Sequence, residues 1–306
     1  MPKQWFVIVN PTSGNGASKK QWPRIYKELK SQQFQFEYVF TEHKNHAIEL
    51  VKNAIDKGFT KIICVGGDGT LHSVVNGILR LNIPIISEVK IGVIPIGTGN
   101  DWVKTYGIST NYKKAIEILK TEHTTPQDIG KINLTNTNTN IYFNNLAGIG
   151  FDGYVVNKVH KYKNLGSLAY LAGALLSLFS YKKPLLEISF NNTVLKQKTL
   201  LLFIGIGKYC GGGMQLTQKP DPLNGLFDIS FVKNISLVQL LINIPAFFNG
   251  KITQHKIVEN YKTSELKIKV AANQEAYIQA DGELIGSGSF SVSLLPKALT
   301  FIVPKK

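Results

Sequence analysis

Cysteine is nearly absent. Cys64 and Cys210 are the two in 306 residues, which gives no disulfide framework and suits a reducing cytoplasm. Cys64 lies in the apolar run Lys61-Ile62-Ile63-Cys64-Val65 and reads as a packed thiol, and nothing beside Cys210 marks it as a nucleophile. The few histidines, His43, His46, His72, His123, His160 and His255, show no zinc-ligand spacing. No Gly-x-Ser-x-Gly elbow is present, so serine hydrolase chemistry has no support, and no nucleic-acid-binding module appears. Long apolar runs are also missing. Leu165–Phe179 carries Ser167, Tyr170 and Ser177 and falls short of the ~20 residues that span a bilayer, so a buried helix is expected there. Leu237–Phe248 is shorter and holds Pro245. The apolar stretch Phe6–Val9 is too brief for a signal peptide.

Acidic side chains are scarce: 20 Asp and Glu stand against 35 Lys and Arg, for a net charge of +15. Such a surplus favours acidic partners, a nucleotide or an anionic membrane surface. Each basic residue near such a surface contributes about 1 kcal/mol. The lysines are scattered, as in Lys19-Lys20, Lys113-Lys114 and Lys182-Lys183, and also read as plain solvated surface. A hydrophobic content of 43% and this length allow two modest domains with ordinary cores.

What is present is a set of glycine loops. Gly66-Gly67-Asp68-Gly69-Thr70 follows the run Lys61–Val65 and precedes the helical pattern Leu71–Leu81. Strand, glycine turn and helix N-terminus together favour an anion, because the main chain can approach it closely and free N–H groups point at it. A second loop, Pro95-Ile96-Gly97-Thr98-Gly99-Asn100-Asp101, follows Ile91–Ile94, and a third, Pro11-Thr12-Ser13-Gly14-Asn15-Gly16, follows Trp5–Asn10. In an open parallel sheet three such loops share the carboxyl edge, where ligands bind.

These segments resemble the ordered motifs of the diacylglycerol kinase catalytic domain, the group of bacterial soluble lipid kinases, sphingosine kinases and ceramide kinase. The residues that carry the resemblance are Asn10–Gly14, Gly66–Thr70 and Pro95–Asp101, then Phe143-Asn144-Asn145, Gly148-Ile149-Gly150-Phe151-Asp152, Asn224-Gly225-Leu226-Phe227-Asp228 and Asp281-Gly282-Glu283. They run through nearly the whole chain in order. Gly-Gly-Asp-Gly-Thr is shared with NAD kinases and phosphofructokinases; the Gly-Thr-Gly-Asn-Asp loop and the late Asp-Gly-Glu point to lipid kinases.

Alternating strand and helix patterns up to about residue 127 predict a doubly wound α/β domain with a mostly parallel sheet. Its strands are expected at Trp5–Asn10, Phe34–Phe40, Lys61–Val65 and Ile91–Pro95. From residue 128 to 298 β-like runs dominate and predict an antiparallel β-sandwich or barrel, with helices near Tyr154–Tyr162 and Leu168–Phe179. Ile141–Leu146 reads there as one strand. Leu299–Val303 is a last strand, which the resemblance returns to the first domain, so that residues 1–127 and 299–306 form one unit. The repeat Thr135–Asn140 reads as a polar hairpin loop.

The resemblance implies ATP as donor, Mg²⁺ as its companion and a lipid hydroxyl as acceptor. Main-chain N–H groups of Gly66, Gly67, Gly69 and Thr70 cradle phosphate in this reading, with the Thr70 hydroxyl as an extra donor. Thr41, Thr98 and Asn100 contact the nucleotide, and Asn10 and Ser13 line its adenine side. A carboxylate meets phosphate only through a cation, so Asp68 is expected to act through Mg²⁺, with a loop-stabilising turn as the alternative. Asp101 and Thr41 read equally as helix caps. The family places its general base at the position of Asp281, and Glu283 orients it or holds metal from the same strand face. From local pattern alone Asp281-Gly282-Glu283 is a hairpin turn. Family members bind Mg²⁺ on a loop that matches Asp221, Asn224 and Leu226. Asn224 stands where Asp is usual, which removes a charge. The resulting expectation is phosphorylation of diacylglycerol to phosphatidic acid by a cytoplasmic enzyme that visits the membrane transiently, in a crevice shared by the glycine loops and Asp281. A homodimer is left open. The alternatives are an NAD kinase-like soluble acceptor and a non-catalytic sensor of nucleotide or lipid.

Overall fold

The computed structural model describes residues 4–81, 84–159, 180–232, 239 and 242–305. The expected helix Leu168–Phe179 and the whole of the expected 165–179 segment fall outside these residues, as do residues 160–162 of the expected Tyr154–Tyr162 helix and part of 237–248. Two compact units emerge: Met1–Ile129 with Pro296–Lys306, and Gly130–Leu295.

In the first unit β1 (Trp5–Val9), α1 (Ala17–Ser31), β2 (Phe36–Phe40), α2 (His46–Asp56), β3 (Lys61–Gly66), α3 (Asp68–Arg80), β4 (Lys90–Pro95), α4 (Asp101–Tyr106) and α5 (Tyr112–Thr121) succeed one another. β1 pairs in parallel with β2 and β3, and β3 pairs in parallel with β4. Thr300 and Phe301 of the last strand add a further parallel rung beside Lys90 and Ile91. Both faces of the sheet are buried, which is why β1 and β3 read as unbroken apolar runs. Trp5, Val7 and Val9 pack with Trp22, Ile25 and Leu29 of α1 and with Ile116 and Leu119 of α5. α2 and α3 lie together, and the glycine at position 77 is needed there: a Cβ would sit 2.9 Å from Val51 Cβ and 3.1 Å from the Ile48 main chain.

In the second unit the strands are the C-terminal part of β5 (Thr124–Leu134), β6 (Thr139–Phe143), β7 (Leu146–Gly150), β8 (Leu185–Phe190), β9 (Thr193–Lys198), β10 (Leu201–Gly205), β11 (Tyr209–Cys210), β12 (Met214–Gln215), β13 (Phe227–Val232), β14 (Val258–Thr263), β15 (Glu265–Val270), β16 (Tyr277–Ala280), β17 (Glu283–Ser287) and the first residues of β18 (Phe290–Ile302). The helices described are α6 (Phe151–Val159) and α7 (Ile244–Asn249). One sheet runs β14-β13-β10-β7-β16-β17 and is antiparallel throughout. Facing it are β18-β15-β8-β9 and the β5–β6 hairpin. Phe143, Ile149, Ile188, Ile204, Phe227, Ile229, Leu266, Ile278 and Phe290 form one buried cluster between the layers, which defines a sandwich. A second cluster, including Leu146, Phe151, Val155, Phe203 and Phe247, covers the outer face of the six-stranded sheet.

Two expectations change and a third holds. Helix α3 begins at Asp68 rather than Leu71, because the glycine turn is itself the first helical turn. The single strand expected over Ile141–Leu146 is two, broken at Asn144-Asn145, where the chain leaves one layer of the sandwich for the other. Strand β16 stops at Ala280 as expected, and Asp281-Gly282 is a two-residue hairpin turn with both φ positive (51° and 81°).

Candidate active site

In the first unit the parallel strands β1, β3 and β4 all end at one edge, and their exit loops are tied to each other there. The Asn10 amide donates to Thr70 Oγ1 at 3.0 Å, and Ser13 Oγ lies 3.4 Å from the same hydroxyl. The Ile96 N–H donates to the Gly66 carbonyl. Gly67 and Gly97 touch main chain to main chain: a Cβ on Gly97 would sit 2.8 Å from Gly67 Cα and 2.7 Å from Asn100 Oδ1. Only glycine at both positions lets the two loops close on each other. Thr41 follows β2 at the same edge, donating its N–H to the Val9 carbonyl.

Asp68 joins two of the loops. Its Oδ2 accepts the Asp101 N–H at 3.0 Å and its Oδ1 accepts the Trp102 N–H at 3.1 Å. The carboxylate therefore caps α4 from another segment, which supplies the negative charge that a helix N-terminus favours. The expectation that Asp101 is the cap is corrected: its own N–H is capped, and its carboxylate pairs with Lys104 at 2.7 Å. Asn100 holds the left-handed conformation before α4 (φ 49°), donates to the Gly97 carbonyl and keeps a buried Oδ1 with no partner among the described residues. Thr41 does not cap α2 either, since Asn45 holds that position. The Thr70 N–H bonds to the Gly67 carbonyl and is therefore already engaged inside the turn. The Thr70 hydroxyl is buried and shared with Asn10 and Ser13, whereas Thr98 is exposed. Behind the turn, burial, with Asp68 adding to it, pushes the Cys64 thiol far up, as befits a packed, unreactive group.

Two carboxylates flank Gly99. A Cβ there would lie 3.0 Å from Asp68 Oδ2 and 3.4 Å from Asp101 Oδ2. This pair suits a hydrated Mg²⁺, which takes one or two carboxylates together with substrate phosphates. The 221–226 loop fits less well. Asp221 Oδ1 accepts the Leu223 N–H, Asn224 Oδ1 accepts the Leu226 N–H, and the nearby Asp228 is committed to the Gln218 and Lys219 N–H groups and to Lys262 at 3.1 Å. Asp221 is the one carboxylate within 221–226, and both expected side-chain ligands already close local turns. Elsewhere His43, His46 and Glu49 offer donor atoms within 4.8 Å of one another. His46 Nδ1 accepts the Glu42 N–H at 3.0 Å, however, which puts the neutral ring's proton on Nε2 and removes a lone pair a metal would need.

In the second unit Asp281 is clasped by main chain. Its Oδ2 accepts the Asn144 N–H at 3.1 Å, and its Oδ1 accepts the N–H groups of Asn145 and Leu146 at 3.0 and 3.1 Å. Its own N–H donates to the Leu146 carbonyl. Three successive N–H groups at the β6–β7 break form an anion-binding concavity around the carboxylate. Glu283 does not share a strand face with Asp281, as was expected, because the turn intervenes; it pairs with Ala280 at the start of β17. Sequence reading assigned no role to Asn144, Asn145 or Gln279. The signals were there: two polar residues interrupt an apolar strand, and one glutamine sits inside Tyr277-Ile278-Gln279-Ala280.

Two family profiles match the chain. Residues 4–132 match the diacylglycerol kinase catalytic domain and residues 145–303 the YegS C-terminal NAD kinase beta sandwich-like domain. A diacylglycerol kinase of Staphylococcus aureus (strain JH9) is 30% identical over 288 residues, spanning 94% of this chain and 88% of that protein. A diacylglycerol kinase of Staphylococcus haemolyticus (strain JCSC1435) is 28% identical, spanning 98% and 88%. A crystal structure of a diacylglycerol kinase from Bacillus anthracis str. Sterne superposes with a TM-score of 0.74 at 22% identity, covering 99% of this chain and 97% of that one, and so shares the fold. The chain belongs to the diacylglycerol kinase catalytic-domain family and is a lipid kinase of that family.

Proposed function

We propose that the protein transfers the γ-phosphoryl group of ATP to the free hydroxyl of diacylglycerol, giving phosphatidic acid and ADP. The observation that carries this reading is the cross-linking of three strand-exit loops at one sheet edge, through Asn10–Thr70, Gly67–Gly97 and Asp68–Asp101. A phosphate chain needs such a rigid, main-chain-rich surface, because phosphoryl transfer depends on positioning and charge neutralisation more than on covalent chemistry. Asn10, Ser13, Thr41, Thr98 and Asn100 surround the nucleotide in this reading, and Gly66, Gly67 and Gly69 let it approach the main chain. Asp68 and Asp101 would hold the Mg²⁺ that accompanies ATP, which would supply charge neutralisation.

Asp281 is the general base. A lipid hydroxyl is a far weaker acid than a carboxylic acid, so Asp281 takes its proton only as the new O–P bond forms and the bond to the ADP oxygen breaks. Base catalysis of this kind contributes roughly 10²–10⁴-fold. The main-chain clasp around its carboxylate holds it in one orientation, as such a role demands. Diacylglycerol as acceptor follows from what the Staphylococcus relatives are named for. The net charge of +15 supports transient contact with an anionic bilayer, where the acceptor resides, and no described helix is long and apolar enough to cross a membrane.

The test is incubation with Mg-ATP and a panel of diacylglycerol, ceramide, sphingosine and NAD, with product read by mass spectrometry. Phosphatidic acid is the expected product. Asp281→Asn abolishes turnover while nucleotide affinity, measured by calorimetry, persists. Product from NAD alone, or undiminished turnover in Asp281→Asn, overturns the reading.

A further inference from the structure

Gln279 is buried, at 4% exposure, in a strand whose neighbours Ile278 and Ala280 point into the sandwich core. Strand alternation sends its side chain to the opposite face, where α6 begins. There its Nε2 donates to Asp152 Oδ2 at 3.0 Å, and its Oε1 accepts the N–H of Gly282 at 2.9 Å. A register shift between Ile278 and Gln279 falls just ahead of this contact, in the way bulges re-aim a side chain beside a functional turn. Asp152 is drawn close under β7: Gly148 has no room for a Cβ, which would collide with its carboxylate. The other oxygen of Asp152, Oδ1, is buried without a partner among the described residues.

A buried carboxylate is costly, and an apolar residue would pack there more cheaply. The Gln279 amide at the other end of its bond also grips the Asp281-Gly282 turn. Both turn residues hold positive φ, a conformation that costs a non-glycine residue roughly 1 kcal/mol or more. A hydrogen bond from within the fold to the Gly282 N–H locks that turn and, through it, the direction of the Asp281 carboxylate.

We infer that Gln279, oriented by Asp152, is a positioning residue for Asp281. The inference rests on the reading of Asp281 as the base. The pair acts through geometry: Asp152 accepts from the amide nitrogen, which leaves the amide oxygen facing Gly282. Burial raises the Asp152 carboxyl to about 6, so it is charged, and a strong acceptor, at neutral pH.

The experiment measures kcat and the KM for ATP in four variants, Asp281→Asn, Gln279→Met, Gln279→Glu and the double variant Gln279→Glu/Asp152→Asn, with thermal melting as a control for folding. Gln279→Met keeps volume but cannot accept from Gly282; kcat falls roughly tenfold to a hundredfold, the range expected when a reacting group shifts by about 1 Å, and the KM for ATP stays put. Gln279→Glu sets two carboxylates against each other and loses as much. The double variant reverses donor and acceptor while keeping both bonds, and recovers most of kcat, which a merely space-filling role would not produce. Wild-type kcat in Gln279→Met beside an inactive Asp281→Asn overturns the positioning role and leaves the base in place. A folded double variant no better than Gln279→Glu overturns it too. Full turnover in Asp281→Asn removes the base itself.

Discussion

Asp152→Asn is expected to stabilise this protein at alkaline pH. Although the residue keeps some exposure at its edge, its Oδ1 is fully buried, and loss of solvation lifts its carboxyl from the ordinary 3.8 to about 6, with hydrogen bonds from Gln279 and from the Gly153 and Asp152 main chain opposing only part of the lift. Between those two values the native chain holds a proton that the unfolded chain has released. Stability therefore falls as pH rises through this window and stays reduced above it. Roughly two pH units at 1.36 kcal/mol each make the cost of the charged group about 3 kcal/mol above pH 6. An amide carries no such charge and still offers an oxygen to Gln279. In urea titrations the substitution should leave stability near pH 4 unchanged and raise it by up to about 3 kcal/mol at pH 8, so the gap between the two proteins opens between those limits. Taking the difference between wild type and variant cancels the other titrating groups. A gap of the same size at pH 4 and pH 8, or a variant less stable at pH 8, refutes the assignment of a destabilising charge to this site.

Other outcomes follow from the loop contacts. Gly97→Ala places a Cβ 2.8 Å from Gly67 Cα and forces the two loops apart; ATP affinity measured by calorimetry should drop roughly fivefold to a hundredfold, in line with the 1–3 kcal/mol cost of overpacking. Asp68→Ala removes both cap bonds to α4, and should cost about 1 kcal/mol of stability as well as most of the turnover; unchanged melting would show that the cap is idle. Asn224→Asp restores a charge to the 221–226 loop and should make the melting midpoint rise with added Mg²⁺ more than it does in the native chain. Sedimentation with phosphatidylglycerol vesicles should fall steeply as salt is raised, because exposed charges are screened within about 8 Å at physiological ionic strength; salt-independent binding would refute an electrostatic contact.

Much of the α/β unit was legible because its strands are buried on both faces and end in glycine. Lys61–Gly66 is apolar from end to end, and α1 and α5 each show a 3.6-residue apolar stripe. The second unit was harder. β9 and β14 escaped notice because Thr193–Lys198 and Val258–Thr263 are largely exposed or half-exposed and carry little apolar signal. β17 escaped because Glu283–Ser287, with Gly286 at φ 154°, has no strand-like composition. At the site, the glycine loops announced themselves, but their mutual ties did not. That Asp68 would cap a helix starting 33 residues later, or that Asn144–Leu146 would clasp Asp281 across more than 130 residues, depends on which strands lie side by side. No local pattern encodes that.

The hairpin reading of Asp281-Gly282-Glu283 and the catalytic reading looked like rivals in the sequence, and the structure removes the conflict. A two-residue turn with both φ positive requires residues such as Asp and Gly, so local rules alone account for the pair. Yet a turn of this kind is also stiff, and it throws the Asp side chain back toward the preceding sheet. Here that places the carboxylate on three main-chain N–H groups at the break between β6 and β7. A flexible loop could present the same carboxylate only by surrendering conformational entropy at each turnover. The hairpin meets that requirement in advance, during folding, which is what preorganisation of a reacting group means. Lengthening the turn by one glycine after Gly282 separates the two roles. Strands β16 and β17 keep their pairing and the protein still melts cooperatively, but kcat falls toward that of Asp281→Asn. If activity survived the insertion, the stiffness of this turn would have no part in the chemistry.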